Sequence, residues 1–224
     1  MRAPRKILFS LLYLAFLLLL LETGVRAFLT VKLGVPFFHP SEMIYAFYPE
    51  ARAVKNAEIS RGDGVFDVFL LGASVLNNGW GNIEELLAKE LEKKTGGKVK
   101  VHTVAIPAHT SLDSYYKFRH VAEKSFDLVI FYDAINEVRA NNCPPGMFAQ
   151  DYSHYSWYKN ISLFDSHKEA RYLVFPWALH YAASRVWKKL HGIKYVPIHE
   201  PTPEWTAYGA DIKTAETFRK NITR

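Results

Sequence analysis

Fifteen positions from Ile7 to Leu21 are apolar except for Ser10, and such a run this near the start limits what the chain can become. Arg2, Arg5 and Lys6 precede it and Glu22 closes it. A bilayer span takes roughly 20 apolar residues, so the run alone is short. It lengthens if Glu22 turns its carboxylate outward, because Val25, Ala27, Phe28 and Leu29 resume the apolar pattern. An uncleaved signal anchor, a cleaved signal peptide and a buried helix of a soluble domain all fit. The anchor fits best, since no Ala-x-Ala site follows the run. The basic tip then stays cytoplasmic and the rest of the chain faces outward. Residues 1–33 are therefore read as a basic tip and a signal-anchor transmembrane helix.

The formal charge of +6 is concentrated at this end. Residues 1–33 hold five Lys/Arg and one acidic residue, whereas the remainder holds 23 Lys/Arg and 21 Asp/Glu. That balance is no nucleic-acid footprint. One cysteine, Cys143, excludes an intrachain disulfide framework. His, Cys and acidic residues occur at no convincing metal-ligand spacing, and no cofactor is implied.

Residues 34–62 read as a juxtamembrane connector broken by Pro36, Pro40 and Pro49, and Arg61-Gly62-Asp63-Gly64 as a turn. Strands and helices then alternate. Val65 to Leu71 is a first strand. Asn82 to Lys94 repeats Ile83, Leu86, Leu87 and Leu91 at helical spacing and stops at Gly96-Gly97. Lys98 to Ile106 is a second strand, and Ser111 or Asp113 caps a helix reaching about Lys124. Asp127 to Tyr132 is a third strand. This order predicts an α/β fold with parallel strands. Residues 138–169 lack clear periodicity and are rich in aromatics, as an insertion would be. Glu169 to Leu190 reads as one helix or two divided at Pro176. Ile193 to Ile198 is a short strand or extended segment, and Asp211 to Asn221 opens another helix. The domain is assigned to 63–224.

A buried strand ending abruptly in Gly72-Ala73-Ser74 lifts a hydroxyl out at the carboxyl end of the sheet, where open α/β folds bind ligands. Serine needs a neighbouring base to act as a nucleophile. The plainer role of Ser74 is to cap the following turn. The second strand runs into Ala108-His109-Thr-Ser111, and the third into Asp133-Ala-Ile-Asn136-Glu137. Both segments should reach the edge that holds Ser74. Asn136 offers an amide donor and the loop near Ala108 a backbone donor, as an acyl-transfer site requires.

These three segments resemble the first three sequence blocks of the SGNH, or GDSL, serine hydrolases. The resemblance covers about residues 60–140. It implies a flavodoxin-like three-layer α/β/α fold and hydrolysis of lipid or carbohydrate esters, often O-acetyl groups. Gly72-Ala73-Ser74 stands where the family usually has Gly-Asp-Ser, which makes Ser74 the nucleophile and its N–H an oxyanion donor. Ala108 occupies what looks like the position of the second-block glycine, whose N–H is a donor. Asn136 falls on the oxyanion amide and Glu137 on the acidic neighbour. Leu21-Glu-Thr-Gly-Val-Arg26 after a basic start is also similar to membrane-bound members.

The family's base is a histidine in a late Asp-x-x-His block. Nothing after Glu200 contains a histidine, and His199 has no Asp three positions before it. The expectation is therefore a chain ended before that block. Asp151-Tyr-Ser-His154 satisfies the pattern but comes early, and His109 lies nearer Ser74 in the inferred topology. Both are candidate bases, with packing or surface roles as the plain alternatives. The expected partners are the membrane and an ester-bearing carbohydrate or lipid. The rival reading is an inactive, anchored protein that binds glycans through Tyr152, Tyr155, Trp157 and Tyr158, or serves as a structural envelope protein. Asn160-Ile-Ser162 and Asn221-Ile-Thr223 match an N-glycosylation pattern.

Overall fold

The structure is a computed structural model and describes residues 3–133, 135–144, 146–195 and 210–223. It divides into two compact units, Met1–Phe47 with Trp157–Tyr195, and Tyr48–Ser156 with Val196–Arg224.

The first unit is helical. Helix α1 (Ala3–Leu33) is apolar on every side, and most of its large side chains are exposed. From Arg5 to Leu33 it is long and apolar enough to cross a membrane, with an 18-residue stretch whose mean hydropathy is 2.2. It does not stop at the end of the short apolar run. A 3₁₀ turn, Pro40–Met43, leads into the single turn α2 (Ile44–Phe47). The later part of this unit begins in α8, described below, passes a 3₁₀ turn at Lys168–Arg171, and ends in α9 (Phe175–His191). Pro176 divides nothing: it sits in the first turn of α9, where the missing N–H costs no helical bond. Gly192, at φ 60°, closes that helix in the left-handed conformation.

Two residues of α1 cap α9. The Glu22 carboxylate accepts from the backbone N–H groups of Val174 and Phe175 at 2.9 Å each. Arg26 donates to Glu22 at 2.6 Å and to the carbonyl of Tyr172 at 2.6 Å. Glu22 is 8% exposed, so its charge is satisfied by the orphan donors of a helix start and by one guanidinium.

The second unit opens with α3 (Pro49–Asn56) and carries the sheet. The connector read at 34–62 thus contains ordered turns and helices. Strand β1 (Val65–Gly72) is central, with β2 (Lys98–Thr103) and β3 (Leu128–Tyr132) parallel on either side. Val65 pairs with Lys98 and Leu70 with Thr103 on one side; Val68 pairs with Leu128 and Gly72 with Tyr132 on the other. The single turn α4 (Asn78–Gly81) precedes α5 (Ile83–Thr95). Successive strand residues face opposite ways, so both faces of β1 need cover. Val68 and Leu70 pack with Val99 and Val101 beneath Ile83, Leu87 and Leu91 of α5. Phe69 faces away from them and stacks on Phe126 at 4.6 Å. Each fully buried Val or Leu contributes about 1.5–3 kcal/mol.

Four expectations are corrected. Strand β2 stops at Thr103, because its ladder gives way to a loop whose Val104 N–H still reaches Leu70 at 3.1 Å. Helix α6 (Ser111–Val121) is capped by Thr110, not Ser111 or Asp113. Thr110 and Asp113 form a reciprocal capping box in which Asp113 is the third helical residue. The segment 138–169 is not an irregular insertion: it holds most of α7 (Ile135–Asn141) and all of α8 (Ser156–Ser166). Of the aromatics there, Tyr152, Tyr155 and Tyr158 are buried and Trp157 is half-buried. Ile193–Tyr195 forms no strand, which leaves the extended alternative for those residues, and Val196–Ile198 lies outside the described residues. The final helix, α10 (Ala210–Ile222), packs on α6 and α7. Its Asn221 is buried and donates to the Ser111 hydroxyl at 3.1 Å, leaving no room for a glycan in the folded state.

Candidate functional site

Ser74, Ala108 and Asn136 follow the carboxyl ends of β1, β2 and β3, and so lie at one edge of the sheet. The exit of β1 is tight. A Cβ on Gly72 would stand 2.5 Å from the carbonyl oxygen of Tyr132 on β3, so only glycine fits. Ala73 is extended, and Ser74 opens a 3₁₀ turn through Leu76. Two bonds fasten this turn to the exit of β2: Asn77 Nδ2 donates to Ala105 O at 2.7 Å, and Thr103 Oγ1 to Leu76 O at 3.2 Å. Ser74 is partly exposed, and among the described residues its hydroxyl has no hydrogen-bond partner.

The second segment turns at Pro107 and Ala108. Ala108 has φ 69°, in the left-handed region that favours glycine. A non-glycine residue held there costs roughly 1–2 kcal/mol. The third segment is tied to the second: Asn136, 8% exposed, donates through Nδ2 to the His109 carbonyl at 2.7 Å. A side-chain amide has two N–H groups, so one remains for another acceptor. Glu137 is fully buried and accepts from the Ser111 N–H at 2.5 Å, which docks the start of α7 onto the start of α6.

Beneath this edge lies a buried charged network that the sequence does not announce. Lys117 is 1% exposed, and its Nζ donates to Val104 O at 2.5 Å and to His109 Nδ1 at 2.8 Å. Glu50 lies 2.7 Å away as its counter-ion. Burial lowers the Lys117 pKa, with Glu50 and Asp113 opposing the shift. Asp113 accepts from the Tyr48 hydroxyl and the Thr110 N–H, each at 2.8 Å. Asp133, just past β3, is pushed up to about 7 by desolvation, and the nearby charges of Glu137 and Asp113 add to the rise. Neither Asp133 oxygen makes a well-formed hydrogen bond among the described residues; the Ser114 hydroxyl is a poorly aligned neighbour. Surface reading of a sequence assigns such charges to solvent, and helical spacing alone gives no sign of their burial.

The two candidate bases differ. His154 Nδ1 accepts from the Ala149 N–H at 3.1 Å, and its Nε2 lies 2.8 Å from Ala140 O. Both ring nitrogens are therefore engaged with backbone, and Asp151 caps a turn by accepting from the Ser153 N–H at 3.0 Å. His109 accepts the Lys117 ammonium at Nδ1, which leaves its proton on Nε2. Its pKa is lowered chiefly by burial, so the ring is held neutral. In the buried pair Asp67–His102, at 2.7 Å, Asp67 lies five residues before the end of β1, roughly 16 Å along the strand, and His102 is the penultimate residue of β2.

Among the described residues no group of three or more His, Cys, Asp or Glu is placed to hold a metal ion. No family model, curated protein or solved structure matches this chain.

Proposed function

We propose that the chain is a serine ester hydrolase of the SGNH type, on a flavodoxin-like α/β/α framework, anchored by α1 with its second unit outside the cytoplasmic membrane. One observation carries the reading. A serine lifted from the central strand, a glycine-like Ala108 and a buried Asn136 amide converge on one sheet edge. Ser74 attacks an ester carbonyl as its proton passes to a base, and the intermediate collapses with cleavage of the ester C–O bond, the base giving that proton to the departing alcohol. The Ser74 and Ala108 N–H groups and the second Asn136 N–H stabilise the oxyanion, and water then releases the acyl group. The substrates are O-acyl, notably O-acetyl, esters of envelope carbohydrate or lipid.

The test is burst acylation of the full chain by an activated ester. Ser74→Ala should abolish the burst, and an unchanged burst overturns the reading. Alanine substitution of His109 and His154 in turn tests the two candidate bases.

A second reading, an anchored binding protein without turnover, draws on the unpartnered Ser74 hydroxyl, the engaged Nδ1 of His109 and the two engaged ring nitrogens of His154. Sustained Ser74-dependent turnover overturns it.

A further inference from the structure

The first unit contains an apolar groove of about 1100 Å³, at the upper end of the range for small-ligand sites. Leu17, Leu21 and Phe28 of α1 form one wall, and Phe47, Trp177 and Tyr181 line the rest of it. The groove is thus cut partly into the apolar helix itself. One charged side chain interrupts the lining. Arg185, exposed at the rim, lies over the Tyr181 ring at 5.8 Å.

Beyond the groove, α9 exposes Val186, Trp187 and Leu190, with Lys188, Lys189 and His191 in its last turn. Exposed Trp and Leu beside a cluster of cations characterise helices that lie in the headgroup plane of a bilayer. Glu22 closes a run of fifteen apolar residues, which as helix rises about 22 Å, short of the roughly 30 Å hydrocarbon layer, so the start of α9 that it caps lies within the outer leaflet.

We infer that α9 rises from the outer leaflet into the headgroup region of the bilayer crossed by α1, and that the groove holds an acyl chain of an anionic glycerophospholipid. The phosphate of that lipid meets Arg185. Two features favour this occupant over a protein partner: the continuity of the groove with the apolar helix, and the Arg185 cation at its rim. The inference rests on reading α1 as a bilayer span.

The experiment places the full chain in nanodiscs of phosphatidylcholine with or without phosphatidylglycerol. Cys143 is buried, so single cysteines introduced at the surface take an environment-sensitive label. Leu14→Cys reports on the span, Leu190→Cys on α9 and Trp80→Cys on the second unit. The labels at 14 and 190 should shift to the blue and be quenched by a lipid-borne quencher, while that at 80 stays aqueous. Lys188→Glu with Lys189→Glu should weaken insertion at 190 in phosphatidylglycerol discs, roughly fivefold per cation removed.

Native mass spectrometry after mild extraction should find phospholipid on the wild type, with phosphatidylglycerol enriched. Ala178→Trp with Ala182→Trp, which fills the groove, should lose the lipid. Arg185→Gln, a change at an exposed position, should lose only the preference for phosphatidylglycerol. An aqueous label at 190 beside an embedded one at 14 overturns the inference and leaves the span standing. Aqueous labels at both positions overturn the span itself. A wild type without bound lipid, or one indifferent to headgroup, overturns the groove assignment.

Discussion

Asn136 donates its side-chain amide to the carbonyl of His109 at 2.7 Å, so the start of α7 is tied to the residue that follows Ala108. The same side chain thereby braces the loop after β2 against α7 at the edge that Ser74 shares. Asn136→Ala removes the bond and leaves a carbonyl to find water, a loss of about 1–3 kcal/mol. Asn136→Asp keeps the shape but turns a carboxylate oxygen toward that carbonyl, and should cost at least as much at neutral pH. Urea unfolding of the full chain in detergent measures both. If the amide also serves the oxyanion, acylation falls about 10²–10³-fold in either variant.

Gly72→Ala should be poorly tolerated. The new Cβ meets the backbone of Tyr132 at 2.5 Å, and backbone cannot swing aside as a flexible side chain would. Parting β1 from β3 at their last pair costs about 1–3 kcal/mol or more. The expected result is a lower urea midpoint and reduced labelling of Ser74 by an acylating probe.

Ala108→Gly tests the opposite case. Its φ of 69° suits glycine, so relief of strain offsets the added freedom of the unfolded chain. Stability should stay within about 1 kcal/mol of wild type. Ala108→Val, with a branched side chain in the left-handed region, should lose about 1–2 kcal/mol. Thermal unfolding of the pair reads the difference.

These cases show what the residues reveal in order. Strand β1 is plain from Val65 to Leu71 because it is apolar throughout, and the stop of α5 is plain because Gly96 takes the left-handed cap at φ 70°. Ser74, Ala108 and Asn136 share an edge because parallel strands bring their carboxyl ends together. Helix α8 is harder to see, since Trp157, Ile161 and Phe164 are spaced among Lys159, Asn160 and Asp165. The pairing of Trp157–Tyr195 with the first 47 residues depends on contacts distant in sequence, such as Glu22 with Val174. Buried charge is hidden for a related reason. Lys117 and Glu50 lie far apart in the chain, and only the fold makes each the reason the other is tolerated.

That pair yields a double-mutant test. Lys117→Met leaves Glu50 without its counter-ion and should cost about 3–5 kcal/mol. Combining it with Glu50→Gln removes both charges, and the penalty should shrink well below the sum of the single changes. Equal additivity in urea unfolding would show that the two charges do not interact.

Asp133 predicts a pH dependence with a definite sign. Desolvation raises its folded pKa from 3.8 to about 7, so the folded state holds a proton that the unfolded state has already released. Its contribution is fully present below the unfolded value and is lost as pH rises through about 7. Stability should therefore decline across that window by an amount on the order of a few kcal/mol. Asp133→Asn keeps the shape without the ionisation and should flatten the decline, with its largest gain over wild type above neutral pH. Urea midpoints measured from pH 5 to 8.5 follow the change. If both proteins lose stability in parallel over that range, Asp133 is not the group responsible.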